Sequence, residues 1–306
     1  MAMDNPLEGV ASSTDTDSPT TTNGIGPFGV AAATTKTVRQ AYDNMGSGFD
    51  DLVETTPFLI NCTRLYNRCL NEFTQKGPLS CVLDMGCGSG VQSFYLGEHA
   101  KEVVGIDLSE RLIEIASKRC ARYSHVRFQV GDACRLPFKD QRFDFIISYG
   151  DVLSHIVDGY EQAISEMARV ARPGATVTFE VDTKWNLGLL YHPFELIDAI
   201  RARGVGHATR QWEGMRFKTF TYKELSGLLE KHQLEIVSCA GHNILASLIP
   251  DRFLLEKGKR SLLGRVALLL GGLDLLLSGV YPFNRFGFNF VMTAKKKDRG
   301  ARCPNF

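Results

Sequence analysis

The chain has 306 residues, 44% hydrophobic and 23% charged, with a net charge of +1, and so carries enough apolar material to bury a sizeable core. The near-neutral charge excludes a general attraction to nucleic acid, and no Lys/Arg block exceeds Lys295-Lys296-Lys297. Eight cysteines form no CxxC pair, which argues against a zinc ribbon or a disulfide framework; no metal is expected, and a reducing, cytoplasmic setting is.

In chain order, residues 1–34 are rich in Ser, Thr, Asp, Gly and Ala without apolar periodicity, and read as a disordered tail. Residues 35–77 read as a helical cap. Val38, Tyr42 and Met45 recur at helical spacing, and Leu59, Leu65, Tyr66, Cys69, Leu70 and Phe73 continue the pattern to Lys76 before Gly77-Pro78 ends it.

Residues 78–184 then alternate strands and helices. Strands are expected at Cys81–Met85, Glu102–Asp107, Val126–Val130, Phe143–Tyr149 and Ala175–Val181. Helices are expected at Gln92–His99, from a Ser109 cap to about Arg122, and at Tyr160–Val170. This rhythm implies an α/β fold with a parallel sheet covered on both faces.

Residues 185–220 break the rhythm and read as an irregular insertion on the substrate side. In the final stretch, 221–296, a helix over Tyr222–Lys231 and a strand over Leu234–Cys239 precede a helical lid insertion, 243–286, and a last strand at Phe288–Ala294. Residues 297–306 form a tail. The apolar run Leu262 to Val280 is interrupted by Arg265, Asp274 and Gly271-Gly272, so it reads as a buried or interfacial helix and not a span. Contact with a membrane surface stays open, as does the choice between monomer and homodimer.

The segment Asp84-Met85-Gly86-Cys87-Gly88-Ser89-Gly90 joins a strand to a helix. Glycines there admit positive φ and close approach of a ligand. The dinucleotide fingerprint needs its third glycine where Val91 stands, and no Lys-Ser/Thr follows for a phosphate loop. Asp84, two residues before the first glycine, would repel a pyrophosphate and suits a ligand with an ammonium or sulfonium charge.

With these residues in place, Val82 to Thr183 resembles the core of the class I S-adenosylmethionine-dependent methyltransferases, nearest the small-molecule branch of ubiquinone/menaquinone type. The resemblance implies a Rossmann-like seven-stranded, mostly parallel sheet with an antiparallel last strand, here with an N-terminal helical cap and a helical insertion before that strand. It implies S-adenosylmethionine as cofactor. Gly86, Cys87, Gly88 and Gly90 would line its methionine part, with Asp84 acting on the amino group through the loop or a water. Asp107 would accept from the ribose hydroxyls, Leu108 would flank the adenine, and Asp132 with Ala133 would meet the adenine edge. Tyr42 would close over the cofactor, and Tyr149 would contact it.

The expected chemistry is in-line methyl transfer to O, N or C of a small acceptor, apolar or aromatic, such as a natural product or a lipid- or quinone-like metabolite. Such a displacement needs alignment more than acid or base catalysis. Catalytic candidates are His155, Tyr149 and Glu180, the last two residues before Asp182 on the same side of its strand. Trp185, Tyr191, His192 and Trp212 are candidates for holding the acceptor. The other reading is a protein that keeps the cofactor site but catalyses another reaction, such as a cyclisation, or serves as a regulatory partner.

Overall fold

The computed structural model describes residues 35–46, 48–201, 209–212, 215–255 and 261–298; the expected tail 1–34, most of the tail 297–306 and the side chains of Phe49 and Trp212 lie outside that set. In place of one helix to Lys76 the cap holds three, α1 (Thr35–Met45), α2 (Gly48–Thr55) and α3 (Pro57–Thr74). Gly46 takes φ +46°. Thr56 is extended at φ −93°, ψ 120°, because the residue before a proline is pushed out of the helical region. Pro57 then starts α3, where its missing N–H is no loss. The apolar spacing ran through these breaks because successive helices bury the same kind of face.

The core follows as β1 (Leu79–Met85), α4 (Val91–Leu96), β2 (Ala100–Asp107), α5 (Glu110–Arg119), β3 (Val126–Val130), β4 (Phe143–Ser148), α6 (Val152–His155), α7 (Tyr160–Val170) and β5 (Ala171–Asp182). Ser109 caps α5, its side chain accepting from Leu112 N. The stretch 185–220, expected to be irregular, contains α8 (Pro193–Arg201) and a hairpin, β6 (Thr209–Trp212) with β7 (Met215–Lys218). Then come α9 (Tyr222–Lys231), β8 (Leu234–His242), α10 (Asp251–Leu254), α11 (Leu262–Leu277) and β9 (Asn289–Lys296).

The large sheet has seven strands in the order β3-β2-β1-β4-β5-β9-β8. β9 is antiparallel to both of its neighbours, as the resemblance implied. Alternate residues of each central strand feed opposite faces. Leu83, Val104 and Ile146 pack with α7 and α9 on one side; Val82, Val103, Phe145 and Ile147 pack with α3, α4 and α11 on the other.

In α11 the residues turned inward are small. Gly264, Ala267 and Gly271 are buried with Asp274, whose carboxylate accepts from Leu245 N at 2.8 Å and Ala246 N at 3.2 Å. Leu262, Leu269 and Leu276 face outward. No helix among the described residues is long and apolar enough to cross a membrane.

Candidate cofactor and acceptor site

The turn after β1 is held from behind by the next strand. Gly86 N and Cys87 N both donate to Ile106 O, at 2.8 and 3.1 Å. Gly86, Gly88 and Gly90 have φ of +74°, +51° and +80°, values that L side chains rarely adopt. The Asp107 carboxylate joins the turn to the next helix: Gly88 N donates to Oδ2 and Ser109 N to Oδ1, both at 2.9 Å. Burial raises the Asp107 pKa against these backbone bonds. The N-terminal cap is clipped onto the same loops, since Ser89 Oγ donates to Asp50 at 2.6 Å and Ser109 Oγ to Asp43.

A cavity of about 140 Å³ opens over this turn. Of the cofactor residues expected, Tyr42, Gly86, Cys87, Gly88, Asp107, Leu108, Asp132, Ala133 and Tyr149 line it together. Asp84 and Gly90 stand behind it. Asp84 is 2% exposed and accepts from Ser93 Oγ at 2.6 Å; burial pushes its carboxyl up to about 7. Gly90 lets α4 approach α5, for a Cβ there would sit 2.9 Å from Ala116 Cβ.

The lining fits an adenosyl group with a cationic tail. A carboxylate closes β2 where a vicinal diol can donate to it, Leu108, Leu112 and Ala133 offer an apolar slot for a base, and Asp132 stands at its edge.

A second cavity, about 190 Å³, adjoins the first and shares Tyr42, Leu59, Cys62, Tyr66, Gly150 and His155 with it. At ~10–15 Å³ per water in this measure, it has ligand size, not the size of one or two trapped waters. Phe58, Leu255 and Phe288 supply apolar wall; Asp151, Asp182, Asn186, His192 and Glu195 supply polar groups.

His155 lies where the cavities meet. Its Nε2 is 2.9 Å from Tyr42 Oη, and its ring packs edge-on against Tyr42 and Phe217. Burial lowers its pKa to about 4, so it is neutral at physiological pH and a weak base. Tyr149 stacks on Tyr66 with ring centres 4.5 Å apart, and its hydroxyl meets Thr178 Oγ1 at 3.2 Å. Its ring is therefore wall, and the hydroxyl is turned into the sheet.

Glu180 does not reach either cavity. It is fully buried, accepts from Tyr66 Oη, and accepts from Gly150 N at 3.1 Å. Burial pushes its carboxyl up to about 8, so it fixes the turn after β4. Asp151, in that turn, has φ +58°, and Asn289 Nδ2 donates to both of its oxygens at 3.1 and 3.0 Å.

Of the acceptor residues expected, His192 alone among those described lines the second cavity. Trp185 does not line it. Tyr191 is half exposed and donates to Leu248 O at 2.7 Å. The Trp212 side chain lies outside the described residues. Thr56, Tyr66, Asp151, Asn186, Glu195 and Asn289 were missed; of these only Asp151, just past the fourth strand, carried a positional signal.

Comparison with known proteins bears on the family and the fold. A family described as a methyltransferase domain matches residues 82–174. An uncharacterized protein of Methanocaldococcus jannaschii is 27% identical over 242 residues, 75% of this chain and 90% of that one. A demethylmenaquinone methyltransferase of Staphylococcus aureus is 38% identical over 100 residues, 31% of this chain; the match spans only 40% of that enzyme's length. Among solved structures, the [4+2]-cyclase SpnF shares the fold, with a TM-score of 0.56 and 18% identity over 87% of this chain and 97% of that one.

Proposed function

We propose that this chain, whose residues 82–174 match a methyltransferase domain, is a class I S-adenosylmethionine-dependent enzyme that transfers a methyl group to O, N or C of a small acceptor with an apolar or aromatic body. One observation carries the proposal: the glycine turn, Asp107 and Asp132 converge on one cavity that adjoins a second, partly apolar cavity across Tyr42, Tyr66 and His155. The cofactor supplies an activated methyl on a sulfonium, a good leaving group.

What the chain's own residues supply is alignment, which can be worth roughly 7–11 kcal/mol of barrier in favourable cases. The Asp107 bonds to Gly88 N and Ser109 N set the ribose acceptor in place before a ligand arrives. Tyr42 and His155 hold each other across the junction and direct the acceptor toward the methyl. A neutral His155 suits orientation better than proton abstraction. The outward leucines of α11 support an encounter with an apolar acceptor at a membrane surface.

The test is calorimetric binding of S-adenosylmethionine and S-adenosylhomocysteine, followed by turnover to the latter across phenol, amine and enolisable acceptors. No affinity for either ligand would refute the proposal. Affinity without turnover on any acceptor would favour the cyclase-like or regulatory reading, which the shared fold with SpnF keeps in view.

A further inference from the structure

The helix α11 is built inside out. An ordinary surface helix turns its large apolar side chains to the core. Here Gly264, Ala267 and Gly271 face the core, while Leu262, Leu269 and Leu276 are 78%, 66% and 75% exposed. These three leucines recur every seventh residue, with Arg265 and the half-exposed Leu273 between them, so all five share one stripe of the helix. A stripe of this kind marks an interaction surface.

Arginines stand in and around the stripe. Arg265 lies within it and is exposed. Arg64 on α3 runs alongside, its Nη1 donating to Leu268 O at 2.9 Å. Just past the helix, the Arg285 guanidinium lies 5.4 Å from the ring centre of Tyr281, an exposed tyrosine. The one acid of α11, Asp274, is turned inward and bonded to Leu245 N and Ala246 N.

This composition selects among occupants. Against a second copy or another apolar protein face, Arg265 would leave water in mid-stripe with no carboxylate of its own helix to meet it, a costly arrangement. Against a bilayer the leucines enter the acyl boundary and the guanidinium groups reach back to headgroup phosphates, which they bind in a fork. A tyrosine at the helix end suits the headgroup level.

The apolar surface also leads toward the second cavity. Asp274 ties α11 to residues 245 and 246, and the exposed Leu248 accepts from Tyr191 Oη at 2.7 Å. Next to Tyr191 the chain shows Leu190 and Phe194 to the outside, while Gly188, His192 and Glu195 of the same stretch line the cavity.

We infer that α11 seats the protein in the surface of an anionic lipid bilayer, with its outward leucines in the acyl boundary and Arg64, Arg265 and Arg285 on the headgroup phosphates. In linking this face to the second cavity the inference rests on the proposed methyl transfer to an apolar acceptor, which would enter from the lipid; the docking itself does not depend on that transfer.

The experiment sediments the full chain with vesicles of phosphatidylcholine, and with vesicles of an equal mixture of phosphatidylcholine and phosphatidylglycerol. The mixed vesicles are expected to bind about tenfold or more tighter, with the difference shrinking as salt is added. Leu269→Ser combined with Leu276→Ser should weaken binding to both vesicles by about tenfold or more. Arg265→Gln should weaken binding to the mixed vesicles by about fivefold and leave phosphatidylcholine binding nearly unchanged. None of these residues lines the cofactor cavity, so S-adenosylhomocysteine affinity should be unchanged in both variants, which reports that they fold.

Equal affinity for the two vesicles, undiminished binding by the folded leucine variant, or a wild-type chain that binds neither vesicle would each overturn the inference. In the last case, a dimer in sedimentation equilibrium that the leucine variant abolishes would put a second copy on the face. Failure of the methyltransferase reading shows separately, as no S-adenosylhomocysteine affinity in a wild-type chain that still binds vesicles.

Discussion

Gly271 and Gly272 stand side by side in α11, and alanine at each should change stability in opposite directions. Replacing glycine by alanine inside a helix is worth about 1 kcal/mol in favour of folding. At Gly272 nothing lies within 4 Å of a new Cβ, so Gly272→Ala should realise that gain.

At Gly271 a Cβ would sit 2.1 Å from Cγ and Nδ2 of Asn61. Asn61, on α3, is fully buried and donates to Asn243 Oδ1 at 3.0 Å and to Ala267 O at 3.2 Å. The methyl must displace that amide. Leaving a buried polar group unpaired costs about 1–3 kcal/mol, and two bonds are at stake. After the helical gain is subtracted, Gly271→Ala should destabilise by about 1–3 kcal/mol, and the two variants should differ by about 2–4 kcal/mol. Urea unfolding followed by circular dichroism measures this directly. If both variants shift the midpoint upward by the same amount, α11 does not pack on Asn61 as described.

Asp107→Ala should weaken S-adenosylhomocysteine binding by about 10- to 150-fold, the equivalent of about 1.5–3 kcal/mol in charge-assisted hydrogen bonds; an unchanged Kd in calorimetry would show the ribose to sit elsewhere. Asp274→Leu removes the acceptor of Leu245 N and Ala246 N and should cost about 2–4 kcal/mol by chemical denaturation, despite the more apolar side chain.

Stability should fall as pH rises from 6.5 to 8. Glu180 is raised to about 8 in the folded chain, so there the folded state holds a proton that the unfolded state has lost. The stability from that proton is complete below the ordinary carboxyl range and gone above the raised value. His155 and His242, lowered to about 4 and about 3, act with the opposite sign but only below about 6.5, their ordinary pKa. Thermal melts should therefore slope downward across that window, and Glu180→Gln should flatten the slope.

Much of the cofactor half was legible because its signals are local. The turn Gly86–Gly90 needs residues without a Cβ at positive φ, Ser109 caps the helix that begins one residue later, and Asp107 ends a strand visible by its own apolar run. The second cavity was hidden because its residues come together only in the sheet's topology. Asn289 on β9 grips Asp151 after β4 across 138 positions, and Thr56 reaches the same cavity as Asn186 because α3 packs on the face opposite α7. Residues 185–220 lack strong apolar periodicity, so α8 and the β6–β7 hairpin gave little warning.

The sequence by itself determined the order of the core strands β1 to β5 and the chemistry of the turn after β1, because both depend on neighbours within a few residues. Only the tertiary structure decided which carboxylates line a cavity and which are structural. Asp84, Glu180 and Asp182 look alike in the chain; two are sealed behind the loops they brace, while Asp182 lines an open cavity. Burial and partner geometry separate them, and these are set by elements far apart in sequence.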